Sequence, residues 1–137
     1  MPAVTQTASV RRGPLVVAGG VLAAIALSSL VNALIAVVAR AVGAPDDFQP
    51  LTPGAYIFLT TVGVVAGALG WAVVRKLSGN PEKLIRWLVP VTVVVSFVPD
   101  FFLFGDGGAT GVVALLLMHV AVAALAVTAY RKVMPLS

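Results

Sequence analysis

The chain of 137 residues has no cysteine, which excludes disulfides, thiolate metal sites and cysteine nucleophiles. It is nearly as poor in charge: 10% of residues are charged against 60% hydrophobic, and mean hydropathy is +1.07. A soluble domain carries roughly 25% charged residues because it needs a wetted surface. This chain has too few to cover itself in water, so lipid is its expected solvent. A single histidine excludes bis-histidine haem within one protomer. One histidine with one membrane-depth aspartate is also too few for a closed zinc site, unless a symmetric oligomer doubles them. No phosphate loop, Ser-His-Asp order or paired catalytic carboxylate is present. The expectation is no enzyme, no cofactor and no metal. The net charge of +4 would suit nucleic acid, but the basic residues lie in short clusters beside apolar runs, as membrane topology requires. No nucleic-acid partner is expected; the partner is the lipid bilayer.

Four long apolar runs fill the chain, at about 14–39, 53–74, 84–104 and 109–130. Each meets the rough requirement of 20 predominantly apolar residues for a spanning helix. Backbone groups in lipid must be satisfied internally, and the runs show no alternating polar period, so helices are expected rather than barrel strands. The predicted fold is all-α: a polytopic membrane protein with four transmembrane helices in an up-down bundle, forming one domain over residues 1–137. The first run, about 25 residues long, exceeds the roughly 7–15 apolar residues of a cleaved signal and is read as an uncleaved helix. Arg11 and Arg12 precede it, Arg75, Lys76, Lys83 and Arg86 cluster between the second and third runs, and Arg131 and Lys132 follow the fourth. Asp46, Asp47 and Asp106 fall in the other two loops, with Arg40 the nearby cation. The positive-inside rule puts both termini and the second loop in the cytoplasm.

The outer loop 43–54 contains three prolines, and Pro53 suits the first residue of a helix. Gly79 is expected to end the second helix, and Gly105-Asp106-Gly107-Gly108 to form a tight turn that makes helices three and four antiparallel neighbours. Thr60, Gly63, Gly67 and Gly70 form a small-residue stripe on helix two. In lipid such stripes permit close backbone approach, either to a neighbouring helix of the same chain or to a second protomer. Gly111 offers the same on helix four. Trp71, Trp87, Tyr130 and Tyr56 are placed as interfacial anchors.

Polar groups within the runs mark where chemistry can occur. An aspartate costs about 2.5–3.5 kcal/mol at a helix centre and needs a partner or wet surroundings. Asp100 follows Pro99, which cannot donate to the carbonyl of Val95 and is expected to kink the helix. Ser96 shares the face of Asp100 one turn earlier. Counted from the tight turn at 1.5 Å per residue, Asp100 lies roughly 9 Å and His119 roughly 18 Å deep, so a bridging water or third side chain is expected between them. Asn32 and Thr60 fall in the same half of the membrane. These groups predict a cavity open toward the outside and closed toward the cytoplasm.

Phe48-Gln49-Pro50-Leu51-Thr52-Pro53-Gly54-Ala55, Ser96-Phe97-Val98-Pro99-Asp100 and Leu117-Met118-His119-Val120 resemble a family of small four-helix membrane proteins common in actinobacteria, filed as a domain of unknown function. The resemblance covers nearly the whole chain. It implies a four-helix fold in the plasma membrane, with Pro99, Asp100 and His119 at the family's recurrent polar positions, and it implies no activity.

The expected function is a multi-pass plasma-membrane protein whose outward-facing polar cavity binds or transports a small molecule, lipid headgroup or cation. Asp100 is the expected charge centre, His119 its titratable partner, and Asn32, Ser96 and Thr60 its hydrogen-bonding supports. The alternatives are an accessory subunit docked onto a larger membrane complex, or a homo-oligomeric channel with Asp100 at its mouth.

Overall fold

A computed structural model describes residues 12–136. Arg11, one of the two cations expected to anchor the first helix, lies outside the described residues, as does the N-terminus whose side of the membrane was expected. Four helices follow one another: α1 (Pro14–Ala41), α2 (Pro53–Leu77), α3 (Pro81–Phe101) and α4 (Phe104–Val133), with a 3-10 turn at Gln49–Leu51 between the first two. Each is long and apolar enough to cross a membrane. Large apolar side chains such as Leu22, Leu34, Phe58, Leu69 and Val94 point outward. In water this surface would be an aggregation liability; in a bilayer it is the solvated face.

Local chemistry sets the helix ends. Gly43 at φ 115° lets the chain leave α1 through a paired cap: Ala44 N–H donates to Ala39 O at 2.9 Å and Gly43 N–H to Arg40 O at 3.2 Å. A side chain is strained at that φ, which is why glycine is favoured there. Asn80 caps α3 by accepting from Lys83 N–H at 3.1 Å, and Pro81 needs no donor as the first helical residue. Helix α3 therefore starts before the predicted position. Gly79 does not end α2 by a left-handed turn; Ser78 ends it in extended conformation.

The predicted 105–108 turn is corrected. The chain reverses at Phe102 and Leu103, whose N–H groups close 3-10 type bonds to Pro99 O at 3.2 Å and Asp100 O at 3.0 Å. Residues 104–107 then form a first turn of α4, set at an angle to the rest by Gly108 at φ 63° and ψ −173°. An unbroken apolar run through Phe104 reads as continuing helix in sequence, but these backbone bonds end α3 at Phe101.

Helices α1 and α4 pack most closely, α2 lies against α1, and α3 against α4. The close seam runs along α1, where Gly20, Ala24, Ser28, Asn32 and Ala36 recur at every fourth residue, and the last four of these are buried. Small side chains let the backbones approach, and packing then supplies the association that water cannot drive in lipid. The bundle has an acidic end, holding Asp46, Asp47 and Asp106 in or beside the connections, and a basic end, where Arg75, Lys76, Lys83, Arg131 and Lys132 gather.

Each end has its own core. At the acidic end Phe48, Leu51 and Tyr56 pack with Leu115 and Met118. The Phe48 ring occupies room left by Gly107 and Gly111, where an added Cβ would stand 2.5 Å and 3.0 Å from ring atoms. At the basic end Trp71, Ile85, Tyr130 and Met134 pack together. Trp71 donates to the Met134 carbonyl at 2.9 Å, its ring centroid lies 5.5 Å from that of Tyr130, and the Tyr130 hydroxyl donates to Val64 O. Trp71, Tyr130 and Tyr56 are therefore core residues rather than interfacial anchors, because each ring is taken up by neighbouring helices or the loop. Trp87 alone of the four is exposed.

Arg131 holds Glu82 through two bonds of 3.1 Å and lies 5.7 Å from the Trp71 ring centroid. Both charged partners are about half exposed, so solvent screening leaves the pair contributing little to stability. Glu82→Gln is expected to leave the thermal midpoint in detergent nearly unchanged. A large loss would mean that the pair fixes α3 against α4.

Candidate functional site

A cleft of about 800 Å³ lies between α2 and α3 with α4 as its floor. Helices α2 and α3 touch each other little, so the gap follows their length, from Pro50 and Leu103 at the acidic end to Trp71 and Ile85 at the basic end. The expected cavity, open at one end of the bundle, is thus replaced by a lateral cleft. Its walls are mostly aliphatic. All five predicted site residues, Asn32, Thr60, Ser96, Asp100 and His119, line it, as does Pro99.

Asp100 is 6% exposed, and its Oδ2 lies 3.0 Å from Nδ1 of His119. Direct contact corrects the expectation of a bridging group. Side chains on a helix lean toward its N-terminus. Asp100 on α3 therefore leans toward the basic end, and His119 on the antiparallel α4 leans toward the acidic end. The two leans close a gap that residue counting left open.

The same Nδ1 is 2.8 Å from the Leu115 carbonyl, a group that can only accept, so this nitrogen must carry a hydrogen. That hydrogen is aimed at Leu115, and Asp100 Oδ2 receives no aligned hydrogen bond from the described residues. Phe97 packs edge-on against the imidazole with 6.1 Å between centroids, which limits the ring's rotation. Beyond Nδ1, the half-buried ring leaves Nε2 without a partner among the described residues.

Asn32 donates from Nδ2 to Thr60 Oγ1 at 2.9 Å, joining α1 to α2, while its buried Oδ1 has no partner among the described residues. Ser96 spends its hydroxyl on Val93 O at 2.6 Å rather than on the carbonyl freed by Pro99. It is a weaker support for Asp100 than expected. Helix α3 continues through both Pro90 and Pro99; Pro90 was missed in the sequence reading, although it too removes a helix donor.

The predicted glycine stripe divides. A Cβ on Gly67 would stand 2.8 Å from the Tyr130 hydroxyl, whereas Gly63 and Gly70 have nothing within 4 Å and face the open cleft. The close approach expected at those two is absent among the described residues, because α3 stands off from α2. Gly111 is closely approached, by the Phe48 ring rather than by a helix. Sequence reading missed the α1 seam, though its four-residue spacing was a usable signal, and it missed Phe48, for which no local pattern existed.

Among the described residues, no group of three or more His, Cys, Asp or Glu side chains could hold a metal ion. The arrangement is instead an acid–imidazole pair with unfilled acceptors, set in the wall of an apolar cleft. Such a site can hold a polar group attached to hydrocarbon and can exchange a proton.

No curated protein and no solved structure matches the chain. Residues 11–135 match a Family of unknown function (DUF6069), and across that span, which holds all four helices and the Asp100–His119 pair, the chain belongs to this family.

Proposed function

We propose that this multi-pass protein lies in the plasma membrane with its basic end in the cytoplasm, and binds an amphipathic small molecule or lipid in the cleft between α2 and α3. The observation that carries the reading is the buried Asp100 carboxylate, 3.0 Å from His119 and with an oxygen lacking a hydrogen bond, in a cleft otherwise nearly all apolar. A buried charge without full pairing is costly, and a ligand's polar group would offset that cost. The volume falls within the roughly 300–1,000 Å³ of small-molecule sites, and an opening between helices lets a membrane-dissolved molecule enter sideways.

Native mass spectrometry of the detergent-solubilised protein tests this reading. A defined retained molecule that is lost in Gly63→Leu, whose side chain would project into the cleft, is the expected result. Retention unchanged by that variant would sink the reading. The open faces of Gly63 and Gly70 favour a second reading, in which a partner's transmembrane helix packs there as small residues allow. A stoichiometric protein complex lost in Gly63→Leu, with no small molecule, would establish it instead.

A further inference from the structure

We infer that the occupant of the cleft carries a protonated amine bearing N–H groups, and that its binding releases a proton from the Asp100–His119 pair. The inference rests on the cleft being a ligand site, and it specifies the chemistry of the ligand.

Three features select the amine. Among the described residues no lysine or arginine lines the cleft, and its one acid is Asp100. An anionic head would meet that carboxylate with no cation to balance it except an imidazole already in contact with it. Next, the unpartnered atoms there are acceptors: Asp100 Oδ2 and Asn32 Oδ1, both on residues that line the cleft. They require donors. A quaternary ammonium brings charge without a donor, and a hydroxyl brings a donor without charge, whereas an N–H cation brings both. Finally, the remaining walls, from Leu59 and Val62 of α2 to Leu88 and Val122 of the other two helices, require hydrocarbon.

The proton follows from charge balance. In apolar surroundings the acid–imidazole pair is least costly when neutral overall, holding one titratable proton between its two members. A bound ammonium keeps the site neutral only if that proton leaves. The amine then faces an ionised Asp100 and a neutral His119, and the proton passes to solvent. The titratable side chains facing the cleft are Asp100 from α3, His119 and Tyr130 from α4, and Tyr56 from α2; α1 contributes the neutral Asn32. Among the described residues the pair is thus the only carboxyl–imidazole exchanger there.

Calorimetric titration of dodecylamine into the full chain in phosphatidylcholine nanodiscs tests this, with empty nanodiscs as the control and buffers of different ionisation enthalpy. The expected result is saturable binding with about one proton released per amine, and affinity rising about tenfold per pH unit while the pair holds its proton. Dodecyltrimethylammonium, dodecanol and dodecyl sulfate should each bind about tenfold more weakly or worse. Asp100→Asn should weaken the amine by about thirtyfold or more. His119→Gln should keep both binding and proton release, because by the same charge balance a lone buried Asp100 rests neutral and gives up its proton when the ammonium arrives.

Because the proton count is read on the wild-type chain, it stands even if a variant fails to fold. Equal binding of dodecanol or dodecyl sulfate, or no proton release, overturns the amine inference while leaving the cleft as a site. Absence of saturable binding for all four amphiphiles overturns both. Repeating the titration in phosphatidylethanolamine nanodiscs separates the sources of the amine: competition from that lipid marks a bilayer aminolipid as the occupant, and unchanged affinity marks a free amphipathic amine.

Discussion

Phe48→Ala is expected to destabilise the protein by about 3–5 kcal/mol, the usual range for emptying a buried aromatic site, read as a lower thermal midpoint in detergent. The ring is 3% exposed and comes from the connection between α1 and α2, not from a spanning helix. Its reference state is therefore wet, and the full hydrophobic transfer is lost with the ring. Gly107→Ala should cost about 1–3 kcal/mol by overpacking the same spot, since the new Cβ would stand 2.5 Å from the ring tip. In Phe48→Ala the clash partner is gone, so adding Gly107→Ala should then cost almost nothing. Contacting residues couple in this way and distant ones do not. Additive losses would mean that the ring does not occupy that seat.

Trp71→Ala is expected to cost about 3 kcal/mol, near the lower end of the range for a buried aromatic. Its neighbours at the basic end are set in lipid, and lipid tails solvate an apolar ring about as well as a core does. What is lost is packing against Tyr130 at 5.5 Å and the bond to Met134 O. Trp71→Phe separates the two contributions. It keeps most of the ring packing and leaves a buried carbonyl unpaired, at about 1–3 kcal/mol. Thermal unfolding of the two variants in one detergent gives the comparison. If Trp71→Phe matched wild type, the chain after α4 would be held by Met134 packing alone.

Much of the architecture was legible in the residues because the solvent dictates it. Lipid accepts only chains whose backbone bonds close internally, so four apolar runs with few charges had to become four helices. The family resemblance, carried by motifs such as Val98-Pro99-Asp100 and Met118-His119, extends over the same span as the family match. The site residues were legible for a related reason. Asn32, Thr60, Ser96, Asp100 and His119 are polar where polarity is costly, so the cost itself made them visible.

Their partners were not visible. That Asp100 meets His119 depends on the opposite leans of side chains on antiparallel helices, and on a reversal at Phe102 and Leu103 that the apolar run concealed. Which glycines are closely approached depended on how far α3 stands from α2, a distance written in no single segment. Phe48 looked like one apolar residue in a polar loop until Gly107 and Gly111, far along the chain, were found to leave room for its ring. The sequence by itself determined the number of helices, their antiparallel order and the short set of costly polar groups, because each follows from local composition and the length needed to cross lipid. Only the tertiary structure decided which helices touch, where the cleft opens and which polar atoms are left unpaired, because those depend on distances between segments that no local pattern encodes.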